Sequence, residues 1–365
     1  YESAPGVHVF NLGQNMVGWV RLKVNAPRGT RFTLKFGEWV NDDRSVYLGN
    51  LRTAKSTDTY ICKGGGEEIF EPHFTYHGFQ YVEVVCDNDA VVIEPDTVTG
   101  IVICSEMEQT GTFECSDPLV SRLQQNIVWG QRGNFLAVPT GCPNRDERLG
   151  WTGDALMFLG TAAFNYNVET FFEKWLCDLS DDQLETGAYP DVAPDVACKD
   201  GFHWPMDTIT PLSVKVLRGS LYGEGGCAGW ADVGVICPWV IYERYGDARI
   251  LERSYDSMAA YVKFLEDESN NFLRPFEGYG DWLSIDTSPS NLFLSPTPQD
   301  LIGTAFFAYD TDLMAKTAEV LGKKADAEAY RTLAKNIKKA FCDEFVSANG
   351  RLAGDTQTAY LLALG

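Results

Sequence analysis

EQTGTFECSDPLVSRLQQNIVWGQ, residues 108–131, is where the chain changes its period. Up to EQTGTFECSDPLV (108–120) the pattern is that of a last β-strand. After it DPLVSRLQQNIVWGQ has helical spacing, and Ser116 is placed to cap that helix by offering its hydroxyl to the first free N–H groups. Everything before this stretch reads as β, and everything after it as α.

Upstream, WVRLKVNA (19–26), RFTLKFGEWV (31–40), STDTYICKG (56–64), YHGFQYVEVVC (76–86) and TVTGIVIC (97–104) are short, β-branched or aromatic, and partly alternating. APRGT, KGGGE and CDNDA are turn clusters between them. This spacing predicts an antiparallel β-sandwich, jelly-roll-like, over residues 1–107. Downstream, residues 154–167, 168–182, 231–246, 247–268, 300–322 and 325–345 carry apolar residues at helical spacing. Long loops rich in Gly, Pro and Trp join them. The fold class expected is therefore multidomain β + α, with residues 108–365 forming an α/α toroid whose loops build a site. The pattern holds about seven or eight helices where a closed toroid of six hairpins needs about twelve. The toroid is expected to be incomplete, and both chain ends, Tyr1 and TAYLLALG, read as cut.

Composition narrows the partners. The chain has 365 residues, enough for more than one domain, and 45% of them are hydrophobic. A net charge of −21 argues against nucleic acid and anionic membrane, which need a cationic surface. No apolar run has the length of a spanning helix, and no signal peptide is visible. Ten cysteines include no C-x-x-C pair and are read mostly as buried free thiols. The four histidines are scattered, so no metal and no cofactor is expected. The P-loop, the dinucleotide fingerprint and the nucleophile elbow are absent.

GCPNRDERLGWTGD (141–154) puts three carboxylates, two guanidinium groups and an indole into ten residues, between glycines and a proline. Glycoside cleavage needs one carboxylic acid to protonate the leaving oxygen and a second to activate water or attack. Asp146, Glu147 and Asp154 could supply such groups. Asp154 precedes ALMF in an N-cap position. If a helical turn forms, Glu147, Trp151 and Asp154 share a face. The competing reading is an ion-pair network that only pins a loop.

Four later loops set an aromatic beside a carboxylate: Tyr189/Asp191, Trp204/Asp207, Trp230/Asp232 and Asp281/Trp282. A sugar presents a C–H face that stacks on a ring and hydroxyls that bond to carboxylates. Core packing or capping accounts for any single pair; the set of four points to a carbohydrate ligand.

GCPNRDERLGWTGDALMF (141–158) resembles the signature of bacterial α-L-rhamnosidases of the inverting, α/α-barrel type. NLGQNMVGWVRLKV, the stretch from GEWVNDDRSVYLGN to HGFQYVEV, YPDVAP, GWADVGVICPWVIYERYGD and GYGDWL continue the likeness in order, over nearly the whole chain. The resemblance implies an N-terminal β-sandwich and a catalytic (α/α)6 barrel. It also implies hydrolysis of terminal α-L-rhamnosyl groups, with inversion, by a general acid and a general base. In the family motif the acid follows the Arg. Counting from CPNR assigns Asp146, taken first; counting back from LGW assigns Glu147, its close rival. Arg145, Trp151 and Asp154 are then expected to shape the rhamnose subsite, with Asp191, Trp204, Trp230, Asp232, Asp281 and Trp282 as further contacts. Gly141 departs from the family pattern, in which many members carry Asp. The family's general base is a Glu in a later loop of the barrel, so this chain is expected to hold the acid side alone and to be inactive or nearly so. Two alternatives stand beside this reading. One is another α/α-barrel glycosidase, for glucosides or trehalose. The other is a non-catalytic carbohydrate-binding protein.

Overall fold

A computed structural model describes residues 1–195, 225–275, 278–284 and 295–365. Two compact units divide it, Tyr1–Leu149 and Gly150–Gly365. The change from strands to helices comes earlier than this packing boundary, because the first helix belongs to the first unit.

In the first unit β1 (Glu2–Ala4), β2 (Val7–Asn25), β3 (Arg31–Gly37), β6 (Thr57–Ile61), β7 (Glu67–Phe70), β8 (His77–Cys86) and β9 (Val98–Val102) form one antiparallel sheet. The small pair β4 (Trp39–Val40) and β5 (Val46–Tyr47) stands beside it. The order is β1-β2-β8-β3-β6, with β7 and β9 also pairing β2. Strand β2 serves four partners, β1 among them, because it is 19 residues long. Its first part pairs β8, Gly18–Leu22 pairs β9, and Leu22–Asn25 pairs β7. Gly18 makes the exchange possible, since a Cβ there would lie 1.9 Å from the Ile101 carbonyl oxygen. On β3, Phe32, Leu34 and Phe36 alternate inward and are fully buried against Leu22, Phe79, Val82 and Val84. Each such side chain contributes about 1.5–3 kcal/mol of burial. The period-two pattern in RFTLKFG is this alternation.

The last strand expected in EQTGTFECSDPLV (108–120) does not form; among the described residues between β9 and helix α1 (Pro118–Asn134) there is a single bridge residue, Gln109, and no strand. Nor does Ser116 cap α1. Pro118 occupies the first helical position and drives Asp117 into extended backbone, and the Asp117 carboxylate accepts from the Leu119 N–H at 2.8 Å. After α1 a two-stranded turn, β10 (Phe135–Leu136) with β11 (Val138–Pro139), reverses the chain toward residue 141.

The second unit is helical: α2 (Thr152–Asn165), α3 (Glu169–Asp181), α4 (Val233–Tyr245), α5 (Arg249–Glu268), α6 (Gln299–Val320), α7 (Lys324–Phe345) and α8 (Gln357–Leu364). The helices sit where the apolar period placed them. On α5 Ile250, Ser254, Met258, Tyr261 and Leu265 recur every three or four residues and are all buried. Helix α4 is buried along most of its length and packs on α2, α3, α5 and α6. Gly246 ends it in a left-handed conformation. With α1, eight helices lie among the described residues. The described cysteines are free thiols, as expected, but only Cys62, Cys86, Cys227 and Cys237 are buried; Cys115, Cys177 and Cys342 are exposed.

Candidate active site

The loop from Cys142 to Glu147 is a tight reversal, not a helical turn: the backbones of these two residues pair as an isolated antiparallel bridge. The helical face expected for Glu147, Trp151 and Asp154 therefore does not exist. Arg148 holds the base of the reversal. Its guanidinium donates to the carbonyls of Pro143 (2.8 Å) and Tyr76 (2.6 Å) and stacks on the Tyr76 ring at 4.0 Å. Asn144 donates to Glu38 Oε2 at 2.6 Å, over a bare Gly78.

The two candidate acids are held in different ways. Asp146 Oδ2 accepts from the backbone N–H of Thr53, at 3.1 Å, and from the Thr53 hydroxyl. Glu147 Oε2 lies 2.7 Å from Arg145 Nη2 and 3.0 Å from Arg52 Nη1, with part of its side chain exposed. Ion pairing in this loop is thus real: Arg148 and Asp146 bond to neighbouring segments of the same unit, and Glu147 is paired with Arg52 and Arg145, its side chain 19% exposed. Arg52 and Thr53 were not singled out in the sequence. They lie 93 positions or so before the loop, in LRTAKS, and their only mark is a polar run that interrupts the strand pattern.

In the helical unit α2 begins at Thr152, two residues ahead of Asp154. Asp154 is therefore in the first turn and not at the N-cap, where its charge faces the positive end of the helix. Thr152 donates through its N–H (2.9 Å) and hydroxyl (2.7 Å) to the Asp191 carbonyl, which lays residues 191–193 along 150–152. Asp154 is exposed and lines a cavity of about 630 Å³ together with Trp230, Asp281, Trp282, Met157 and Phe306. Tyr279 gathers the indoles: its ring centre is 4.5 Å from Trp230, 5.2 Å from Trp282 and 6.3 Å from Trp151. Asp281 is fixed by the Thr297 hydroxyl at 2.8 Å and by Ser295 on its backbone N–H. Tyr279 was also passed over in sequence, although GYGDWL contains it.

Three of the expected contacts are interior groups, Trp151, 9% exposed, among them. Asp232 is fully buried; it accepts from the Gly229 N–H (2.5 Å) and the Tyr261 hydroxyl (2.9 Å), and so shapes the loop that carries Trp230. Asp191 is 3% exposed, and burial pushes its carboxyl well above the usual carboxylate range, offset in part by the Tyr279 hydroxyl. Trp204 lies outside the described residues. Among the described residues no three His, Cys, Asp or Glu side chains converge as a metal cage requires.

Carboxylates beside guanidinium groups, and a separate aromatic cavity with two carboxylates, are the parts a sugar-cleaving site needs. Comparison with known proteins gives the family. Residues 108–365 match the bacterial alpha-L-rhamnosidase 6 hairpin glycosidase domain, and residues 1–104 match the bacterial alpha-L-rhamnosidase concanavalin-like domain. An alpha-L-rhamnosidase of Streptomyces avermitilis is 45% identical over 365 residues, which is 100% of this chain and 32% of the relative. One from Formosa agariphila is 40% identical over 98% of this chain and 36% of its own length. The crystal structure of the Streptomyces avermitilis alpha-L-rhamnosidase complexed with L-rhamnose superposes with a TM-score of 0.85 at 44% identity, over 100% of this chain and 32% of that one. The chain thus spans about a third of the length of these relatives.

Proposed function

The chain belongs to the bacterial α-L-rhamnosidase family of six-hairpin glycosidases, and from that premise we propose that it carries the acid side of a site hydrolysing terminal α-L-rhamnosyl groups with inversion. The observation that carries the proposal is the unequal holding of the two neighbouring acids. Asp146 is committed to Thr53 through two donors on one oxygen, an anchoring arrangement. Glu147 is held by side chains alone, those of Arg52 and Arg145. Glu147 is therefore the proposed proton donor, with Asp146 as the group that positions it, reversing the order in which the motif alone ranks them.

An inverting hydrolysis breaks the bond between the anomeric carbon and the leaving oxygen while water attacks from the opposite face. Glu147 would deliver a proton to that oxygen. Arg52 and Arg145 would receive the carboxylate left behind, so that charge developing in the transition state meets fixed donors. Asp154, Trp230, Asp281 and Trp282 are the proposed sugar contacts: rings for the C–H face and the methyl group, carboxylates for hydroxyls. The proposal assigns the second carboxylate, the base, to no residue of this chain.

The test uses the full-length protein that contains this chain and a series of aryl α-L-rhamnosides of rising leaving-group acidity. Glu147→Gln should lower kcat by about 10²–10⁴ for poor leaving groups and much less for the most acidic phenol. Asp146→Asn should lose less, and evenly across the series. The opposite pattern would transfer the donor role to Asp146. Full turnover from both variants would defeat the site assignment, and turnover only on another sugar would defeat the rhamnoside reading.

A further inference from the structure

His77, on β8, is buried in the first unit, and its ring lies flat on Phe36 of β3, with centres 4.0 Å apart and planes at 11°. Phe36 belongs to the sheet core. Beyond that ring His77 Nε2 reaches Asp58 Oδ2 on β6, at 3.0 Å, and Nδ1 faces the Ser56 hydroxyl at 3.4 Å. A carboxylate can only accept, so Nε2 carries the proton of the first bond. In the sheet β3 stands between β8 and β6. One side chain thus ties two strands that are not neighbours. A buried polar tie is a poor source of stability, since well-packed apolar side chains in the same space do as well or better. What it adds is direction: it fixes where the tied segments sit.

Both tied segments go on to hold the reversal that carries Asp146 and Glu147. On one side Ser56 ends a short run whose first residues, Arg52 and Thr53, meet Glu147 and Asp146. The run has a left-handed residue at each end, Arg52 at φ 58° and Ser56 at φ 44°. Such backbone is costly for residues other than glycine and persists where neighbours fix it. Ser56 is fixed by its hydroxyl on the Phe36 carbonyl (3.2 Å), by its own carbonyl on the Phe36 N–H (3.1 Å) and by the His77 ring. On the other side are the chain neighbours of His77. The Tyr76 carbonyl accepts from Arg148, and Gly78 lies bare against Asn144, where a Cβ would be 2.7 Å from the Cβ of the asparagine.

We infer, resting on the proposal that Glu147 is the proton donor, that His77 is a positioning residue for it. Its ring sets the Arg52–Ser56 run, which meets Glu147 and Asp146, against the Tyr76–Gly78 run, which meets Arg148 and Asn144. Without the two ring contacts these runs shift against each other, and the Arg52 guanidinium moves with its run. Glu147 then stands at another distance from the oxygen it is proposed to protonate. None of the proposed sugar contacts, Asp154, Trp230, Asp281 and Trp282, belongs to either run, so the effect falls on proton delivery and not on sugar binding.

The experiment assays the full-length protein on aryl α-L-rhamnosides of rising leaving-group acidity, with kcat referred to the folded fraction measured by circular dichroism. His77→Phe keeps a ring on Phe36 but leaves Asp58 without its partner. His77→Phe combined with Asp58→Leu replaces the pair by apolar side chains, an exchange that folded proteins tolerate well. His77→Gln returns an N–H toward Asp58. The double variant should lose about 10–10²-fold in kcat on the poorest leaving group and much less on the most acidic phenol, with KM within about twofold of wild type. His77→Gln should recover part of that loss. A tie that only stabilises the sheet would change the melting temperature and leave the leaving-group dependence alone. Wild-type kcat across the series in the folded double variant therefore overturns the inference. A loss equal for every leaving group overturns it too, as does a His77→Gln variant no better than the double one. Glu147→Gln, run beside them, separates the two levels. If it shows no leaving-group dependence, the donor assignment itself has failed and the role of His77 falls with it; if it does and the double variant does not, the role of His77 alone is refuted.

Discussion

Trp230 rests on the bare Cα of Gly153: a methyl group at that position would lie 2.6 Å from Cε2 of the indole. The glycine is in the first turn of α2, beside Asp154, and the tryptophan ends the loop that Asp232 pins from beneath. One missing side chain therefore sets the distance between the carboxylate and the ring that line the same cavity.

Gly153→Ala should accordingly act on the site and not on the fold at large. Overpacking of this size costs about 1–3 kcal/mol, and Trp230 is the part able to move. Its displacement would also loosen the stack on Tyr279. In the full-length protein KM for an aryl α-L-rhamnoside should rise about tenfold, with a smaller change in kcat and an altered tryptophan emission. An unchanged KM would show that Trp230 does not touch the sugar.

Thr53→Val tests the anchor of the loop proposed to carry the proton donor. Valine keeps the shape and the backbone N–H but removes the hydroxyl that bonds Asp146. The loss should be about 1–2 kcal/mol of local order, read as a several-fold fall in kcat with little change in KM. A drop in KM-dependent binding instead would mean that Asp146 contacts the sugar.

How much of this was legible in the sequence differs between the two units. Strands such as RFTLKFG declare themselves because one face is buried and the other wet. The first part of β2 does not, since NLGQNMVG is polar and glycine-rich and is held by its neighbours' edges. The helices of the second unit were legible because their apolar faces are continuous, as on α5. The 141–154 motif was legible from its charge density, but the division of labour between Asp146 and Glu147 was not. The proposed division rests on Thr53 and Arg52, groups whose approach depends on the fold of a distant loop. Asp232 misled for a related reason. A carboxylate beside a tryptophan looks the same in sequence whether it meets a ligand or a buried tyrosine such as Tyr261.

Asp310 sets a pH dependence in the helical unit. It is fully buried, and desolvation, joined by the neighbouring Asp232, raises its carboxyl well above the usual range, against the opposing pull of Arg274. The folded state therefore holds a proton that the unfolded state releases above about pH 4. Stability contributed by this group falls as pH rises through that range. Asp310→Asn keeps a donor toward Asp232 and cannot ionise, so its melting temperature should decline less between acidic and mildly alkaline pH. An identical slope in wild type and variant would show that Asp310 does not titrate as described.

Glu68 gives the first unit the opposite dependence. Its carboxylate accepts from the Tyr60 hydroxyl at 2.6 Å and from the N–H groups of Gly64 and Lys63 at 2.9 and 3.0 Å. The tyrosine bond is the largest of the influences that hold the Glu68 carboxyl below its ordinary value, and the same bond pushes Tyr60 up to about 12. Here the unfolded state binds the proton more readily. Stability is present above the ordinary glutamate range, near pH 4.3, and is lost as pH falls through the depressed folded value. Glu68→Gln keeps a single acceptor oxygen: with it on the Gly64 N–H, the NH₂ takes the place of Oε2 and confronts both the Lys63 N–H and the Tyr60 hydroxyl, whose ring is fixed in a stack on Phe70 at 4.7 Å. The variant should melt several degrees lower at neutral pH and approach wild type at acid pH, as the advantage of the charged form disappears. A constant gap between the two curves across the acid range would mean that the loss is one of packing, and that the charge of Glu68 contributes nothing.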